Sequence, residues 1–281
     1  MIRLYATVSG LTLERDGAFS GVADVAAIDR IFRADDPYGE AAALFDRGSR
    51  TQAPEPSRPP LVSQEVWAAG VTYYRSRTAR MEESKDAGGG SFYDKVYEAD
   101  RPELFFKATP HRVVGPGGAV RIRSDSRWNV PEPELTLAIN ARGAIFGYTI
   151  GNDMSSRDIE GENPLYLPQA KVYAGSAALG PCLVIDGSLP GPDATIAIEI
   201  RRGGAAAFNG QTTIGQIKRP LPSLAEWLFR DNSFPHGCYL MTGTGIVPPD
   251  AFTLAAGDEI RITVDAVGTL VNIVAPPHAS H

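Results

Sequence analysis

Two glutamates stand two residues apart in Pro131-Glu132-Pro133-Glu134-Leu135, and Leu135, Leu137 and Ile139 continue an apolar alternation. On an extended segment residues i and i+2 project to one face, so Glu132 and Glu134 point the same way. A second apolar stretch, residues 144–150, follows a turn at Asn140 to Gly143 and runs into Gly151-Asn152-Asp153. Antiparallel return of that stretch brings Asp153 beside the two glutamates. Three converging carboxylates cannot all stay ionised without a cation between them. With oxygen ligands only, and no histidine nearby in sequence, the cation expected is a hard divalent ion, Mg²⁺ or Mn²⁺, rather than zinc. Taken alone, Glu-x-Glu on a strand is more often a solvated face, and an aspartate after Gly-Asn is more often a turn residue.

The elements that must position these groups are mostly strands. Residues 1–16 read as a strand or short hairpin, with Leu4, Ala6 and Val8 alternating in period two. Residues 22–48 carry helical apolar spacing through Val22, Val25, Ile28, Ile31 and Phe32. Pro54, Pro56, Pro59 and Pro60 mark residues 49–60 as a linker or extended crossover. A small N-terminal α/β domain, 1–60, and a catalytic domain, 61–281, are expected. Strands are expected at 66–69, 103–107, 119–123, 134–140, 144–150, 181–186, 195–201, 238–242 and 259–264. A helical mix falls at 72–85, a Gly-rich loop at 86–91, and the clearest later helix at Leu224 to Phe229. Many short strands with few helices predict an α+β, β-rich roll or sandwich rather than a parallel α/β sheet.

The 281-residue chain has 43% hydrophobic and 21% charged residues, a formal net charge of −6 and a pI near 5.3. This balance, with no basic stripe, argues against a nucleic-acid or anionic-membrane partner. Cys182 and Cys238 have apolar neighbours and read as buried, reduced thiols. Met1-Ile2-Arg3-Leu4-Tyr5 lacks a signal peptide's apolar region, and no run of about 18 apolar residues occurs, so a cytoplasmic location is expected.

Glu132-Pro133-Glu134-Leu135, Gly151-Asn152-Asp153-Met154-Ser155-Ser156-Arg157-Asp158, Gln169-Ala170-Lys171 and Gly180-Pro181 together resemble the core of the fumarylacetoacetate hydrolase superfamily. Thr242-Gly243-Thr244-Gly245 is similar to the family's C-terminal Gly-Thr substrate loop. The resemblance covers about residues 61–275. It implies the superfamily's mixed β-sandwich roll, Glu132, Glu134 and Asp153 as metal ligands, Lys171 as the active-site lysine and Thr244 as a substrate contact. Arg157 and Asp158 are expected as a structural pair beneath the site. Members commonly assemble as homo-oligomers, so a dimer or tetramer is expected.

Three departures separate this chain from the hydrolytic members. Those carry a motif like Asn-Tyr-x-x-His with a nearby Glu, a pair that activates the attacking water. Here the matching stretch is Gly70-Val71-Thr72-Tyr73-Tyr74-Arg75-Ser76-Arg77, with Ser76 where the histidine should be and no glutamate before Glu82. A serine cannot replace imidazole as general base near neutral pH, and is left as a substrate contact. Glu103 stands where hydrolytic relatives place an apolar residue. Glu160 stands where relatives often place a substrate-binding glutamine. With Gly161 to Lys171, these features resemble the 2-keto-3-deoxy-pentonate dehydratase branch.

That resemblance implies a small 2-oxo acid substrate and Mg²⁺-dependent dehydration of a 2-keto-3-deoxy sugar acid to 2-oxoglutarate semialdehyde, as a step of sugar-acid catabolism. Elimination needs one base and one acid, which Lys171 and Glu103 could supply in either order. The alternative is an acylpyruvate or fumarylpyruvate hydrolase on the same scaffold, a reading that needs a base the sequence does not offer. His111 and His236 lie outside the motif, and His278 and His281 lie close to the end of the sequence.

Overall fold

The computed structural model describes residues 1–73 and 95–276. In chain order the strands are β1 (Ile2–Thr7), β2 (Gly10–Arg15), β3 (Ala18–Val22), β4 (Ser49–Arg50), β5 (Glu65–Gly70), β6 (Glu103–Ala108), β7 (Val113–Val114) and β8 (Ala119–Arg121). They continue with β9 (Asn129–Ile139), β10 (Ile145–Ser156), β11 (Ala177–Ile185), β12 (Thr195–Arg202), β13 (Ala205–Thr213), β14 (Cys238–Met241), β15 (Glu259–Val264) and β16 (Gly268–Ala275). The helices are α1 (Ala27–Arg33), α2 (Pro37–Arg47), α3 (Arg157–Glu162), α4 (Leu167–Lys171) and α5 (Leu221–Phe229).

Two mixed sheets result, as expected of a β-rich roll. The large one runs β4-β3-β2-β1-β11-β10-β9-β14-β5-β6, and the small one β13-β12-β15-β16-β8. Off the main path, β7 pairs with β11. The chain thus passes from β6, at one end of the path, to β7 beside β11 within a few residues, so the large sheet curls and brings β6 back toward β10.

The centre is the antiparallel β9–β10 pair. Its turn is set by Asn140, whose side-chain oxygen accepts from the backbone N–H of Arg142 and Ala144. Gly143 supplies the left-handed step at φ +83°. Every residue of β9 is buried because both sheet faces are covered. Leu135, Leu137 and Ile139 enter the core between the two sheets, whereas Ala138 enters a second core with Ile28, Ile31 and Phe32 of α1.

Residues 1–50 extend the large sheet. β1 pairs antiparallel with β11, Ile2 opposite Ile185, and Ile2, Leu4, Leu11 and Leu13 share the second core with Leu183 and Tyr239. The helical reading of 22–48 resolves into two helices after a strand. Val22 closes β3 and Val25 is 40% exposed, so neither lies on a buried helix face. Asp36 caps α2 by accepting from Gly39 N, and Pro37 opens it. Five strands escaped the sequence pattern: β3, the two-residue β4 and β7, and the longer β13 and β16. β13 is an edge strand, exposed along most of its length and without alternation, and β16 follows the tight turn Asp265-Ala266-Val267.

Candidate metal centre and active site

A one-residue bulge at Phe146 shifts the register set by the turn, so that Glu132 lies opposite Asp153 and Glu134 opposite Gly151, and the bulged hairpin assembles the carboxylates. All three are buried, and one oxygen from each lies within 4.8 Å of the others. Among the described residues they form the one such cluster of potential metal ligands. Burial, reinforced by the charges of Asp153 and Glu132, holds the Glu134 carboxyl well above the usual carboxylate range. An all-oxygen carboxylate set that resists joint ionisation fits a hard divalent cation.

Protein cations gather round the triad. Lys171, at the end of α4, is buried and donates from Nζ to Glu132 Oε2 (2.7 Å), Asp153 Oδ2 (3.0 Å) and Ser155 Oγ (2.5 Å). Arg157, at the start of α3, donates from Nη2 to Glu132 Oε1 at 2.5 Å. The cavity against the triad is lined by Arg157 and Lys171 from one side and by Ala69, Gly70, Val71, Phe105, Gly243, Thr244 and Val247 from the others.

The remaining expected residues divide by position. Thr244 is buried, lines the cavity, and accepts from Ile246 N at 3.2 Å. Its neighbour Gly243 donates its N–H to Glu134 Oε2 at 2.5 Å. That requires φ +89°, and a side chain there would overlap the Thr72 hydroxyl, so glycine is demanded twice over. Glu103 opens β6, half-buried and not itself a lining residue, with its carboxylate against Gly70 of the cavity wall. Glu160 is not a lining residue. Its buried carboxylate lies behind the site, 3.4 Å from Lys171 Nζ and 3.6 Å from Arg157 Nε. Ser76, and with it the stretch 74–94, lies outside the described residues.

Arg157 and Asp158 do not form the expected pair. Arg157 turns to Glu132 and the cavity, while Asp158 accepts from Ser126 Oγ and Arg127 N, because successive positions on a helix face different ways. His111 is exposed beside Thr109, and His236 lies near Asp29, both away from the triad. Burial pushes the Cys182 thiol up to about 12, so it is inert. Among the described residues no helix is long and apolar enough to cross a membrane.

One cation was missed by sequence reasoning. Lys107 is fully buried, with Nζ 2.5 Å from Asp153 Oδ1 and donating to the carbonyls of Met154 (2.9 Å) and Lys171 (2.5 Å). Burial drives its ammonium below the usual lysine range, an effect opposed by Asp153. A lysine in the strand Glu103-Leu104-Phe105-Phe106-Lys107 offers one weak signal. It shares a face with Glu103 and Phe105 by period two, yet follows a run too apolar for a solvated strand.

The family model of the fumarylacetoacetate hydrolase C-terminal region matches residues 66–275. The chain belongs to the fumarylacetoacetate hydrolase family. Within that family it is 47% identical over 216 residues to a Haloferax volcanii protein described as a probable 2-keto-3-deoxyxylonate dehydratase, covering 76% of this chain and 73% of that one. It is 44% identical over 217 residues to the 2-dehydro-3-deoxy-D-arabinonate dehydratase of Saccharolobus solfataricus, with the same coverage. Its fold matches a solved apo 2-keto-3-deoxy-D-arabinonate dehydratase across 99% of both chains, at TM-score 0.84 and 33% identity. A solved complex of such a dehydratase with magnesium and 2,5-dioxopentanoate matches at TM-score 0.82 and 32% identity, again over 99% of both chains.

Proposed function

We propose that this enzyme dehydrates a 2-keto-3-deoxy-pentonate to 2,5-dioxopentanoate, the semialdehyde of 2-oxoglutarate, with Mg²⁺ at Glu132, Glu134 and Asp153. The observation that carries this reading is the full-length likeness to the dehydratase solved with magnesium and 2,5-dioxopentanoate. Bound there, Mg²⁺ supplies a positive charge that attracts a 2-oxo carboxylate and eases loss of a proton from carbon 3.

The chain's own groups move the protons. One of Lys171 and Glu103 takes a proton from carbon 3, and the other protonates the carbon 4 hydroxyl, which leaves as the one water lost. The C3–H and C4–O bonds break and a C3=C4 bond forms. Tautomerisation then turns the carbon 5 alcohol into the aldehyde. Arg157 and Lys171 each hold one oxygen of Glu132 and fix its carboxylate in place. Glu160, 3.4 Å from Lys171 Nζ, holds that lysine in place and contacts the substrate in this reading. Thr244 and Ser76 contact the substrate in this reading. The enzyme is cytoplasmic and a homo-oligomer, a dimer or tetramer, which light scattering at micromolar concentration checks.

The test offers an acylpyruvate and a 2-keto-3-deoxy-pentonate side by side with Mg²⁺. Dehydration of the second is expected, and rapid hydrolysis of the first without turnover of the second would overturn the reading. Lys171→Ala and Glu103→Gln should each lose about 10²–10⁴-fold in activity while still binding Mn²⁺.

A further inference from the structure

Strand β5 ends at Gly70, and the residue across the ladder from it is Glu103, the first of β6. Glu103 shares its strand face with Phe105, two residues on. Phe105 and Gly70 both line the metal cavity. A side chain at position 70 would be directed at Glu103. The three heavy atoms nearest to such a Cβ are Oε2, Cδ and Cγ of Glu103, with Cδ at 2.6 Å and Cγ at 3.3 Å. The Glu103 carboxylate therefore fills the volume of the absent side chain, at the cavity wall.

Backbone freedom is not the reason for a glycine here. Gly70 is not among the glycines with positive φ, so alanine or serine would fit its main chain. The three nearest atoms they would meet all belong to the flexible side chain of Glu103. Ordinary contact begins near 3.4 Å, so a methyl group at 70 would drive the carboxyl carbon away by nearly an ångström. Misplacement of a reacting group by about 1 Å can cost about 10²-fold in rate.

We infer that Gly70 is a positioning residue for the dehydration, which by lacking a side chain leaves the slot that holds the Glu103 carboxylate against the wall of the metal cavity. The inference rests on Glu103 being one of the two proton-transfer groups. Gly70 and Glu103 then act as one device: the carboxylate supplies the chemistry and the glycine its place. The Mg²⁺ ligands are not touched by either change.

The experiment compares Gly70→Ala, Glu103→Gln, the double variant carrying both, and Gly70→Ala with Glu103→Asp, each as the full chain. Turnover of 2-keto-3-deoxy-pentonate, Mn²⁺ binding without substrate, and thermal melting are read for each. Gly70→Ala should lose about 10²-fold in kcat, with Mn²⁺ affinity and melting temperature held. In the Glu103→Gln background it should cost less than about threefold more, because both changes remove the same group. With Glu103→Asp it should recover about tenfold over Gly70→Ala, since the shorter carboxylate clears the methyl. Gly70→Ala with full activity, beside an inactive Glu103→Gln, overturns the inference and leaves the dehydratase reading intact. A fully active Glu103→Gln overturns the role given to Glu103 and the inference with it. Losses that simply add show that Gly70 acts independently of Glu103, which also overturns it. So does a Gly70→Ala chain that cannot fold, since the strain would then lie in the backbone.

Discussion

Lys107→Met tests whether the buried lysine beneath the triad acts as a compensating charge. The pair it breaks is wholly enclosed, with the side chains of Lys107 and Asp153 0% and 1% exposed. Removing one partner of such a pair costs about 3–5 kcal/mol, because the other charge stays buried. The carbonyls of Met154 and Lys171 lose a donor as well. Lys171 Nζ, 3.0 Å from the other Asp153 oxygen, keeps that aspartate partly compensated and places the cost toward the lower end. With a urea m-value of about 3 kcal/mol/M for a chain of this size, about 3 kcal/mol lowers the unfolding midpoint by about 1 M. Saturating Mg²⁺ should narrow the gap between variant and parent, because the ion restores positive charge beside Asp153. The assay is urea unfolding followed by circular dichroism, in EDTA and in Mg²⁺. A gap under about 1 kcal/mol in EDTA would refute Lys107 as a buried compensating charge. A gap that Mg²⁺ leaves unchanged would refute the exchange of one cation for another.

Glu134→Gln should abolish Mn²⁺ binding and dehydration together while the metal-free protein stays folded, which metal titration and melting read side by side. The pH dependence follows from the raised carboxyl of Glu134. A group whose folded pKa lies above its unfolded value contributes stability at pH below the unfolded value, and that contribution is lost as pH rises through the folded one. Metal-free parent should therefore lose stability as pH climbs above the usual carboxylate range, and Glu134→Gln should flatten that part of the profile. Over the same window Mg²⁺ affinity should rise and binding should release a proton, seen by calorimetry in buffers of different ionisation heat. Deleting residues 1–60 would bare the β11 edge opposite Ile2 to Leu4 and the apolar face around Leu183, Ile185 and Tyr239. The fragment should aggregate, and a soluble, cooperatively melting 61–281 would establish the two parts as separate folding units.

The amino-acid sequence by itself determined the carboxylate triad. Period two puts Glu132 and Glu134 on one face, and the Asn140–Gly143 turn folds the strand that carries Asp153 back beside them. Both are local rules acting over about 20 residues, whereas the one-residue bulge at Phe146 that sets Asp153 opposite Glu132 was not legible in the pattern. The central strands were legible for the same reason, since their apolar patterns are strong. The edge strand β13, solvated along most of its length, carries no such pattern. The order of the strands, and with it the surroundings of the triad, was decided by tertiary structure. Lys107 meets Asp153 because the large sheet curls until β6 lies near β10, with β7 pairing to β11. Glu160 comes within 3.4 Å of Lys171 and 3.6 Å of Arg157 because α3 and α4 pack together. Glu103 lies against Gly70 of the cavity wall because β5 and β6 pair with these two residues opposite each other. Such pairings join residues far apart in the chain, and the energy that selects them is the burial of whole sheet faces, which no window of neighbouring residues contains.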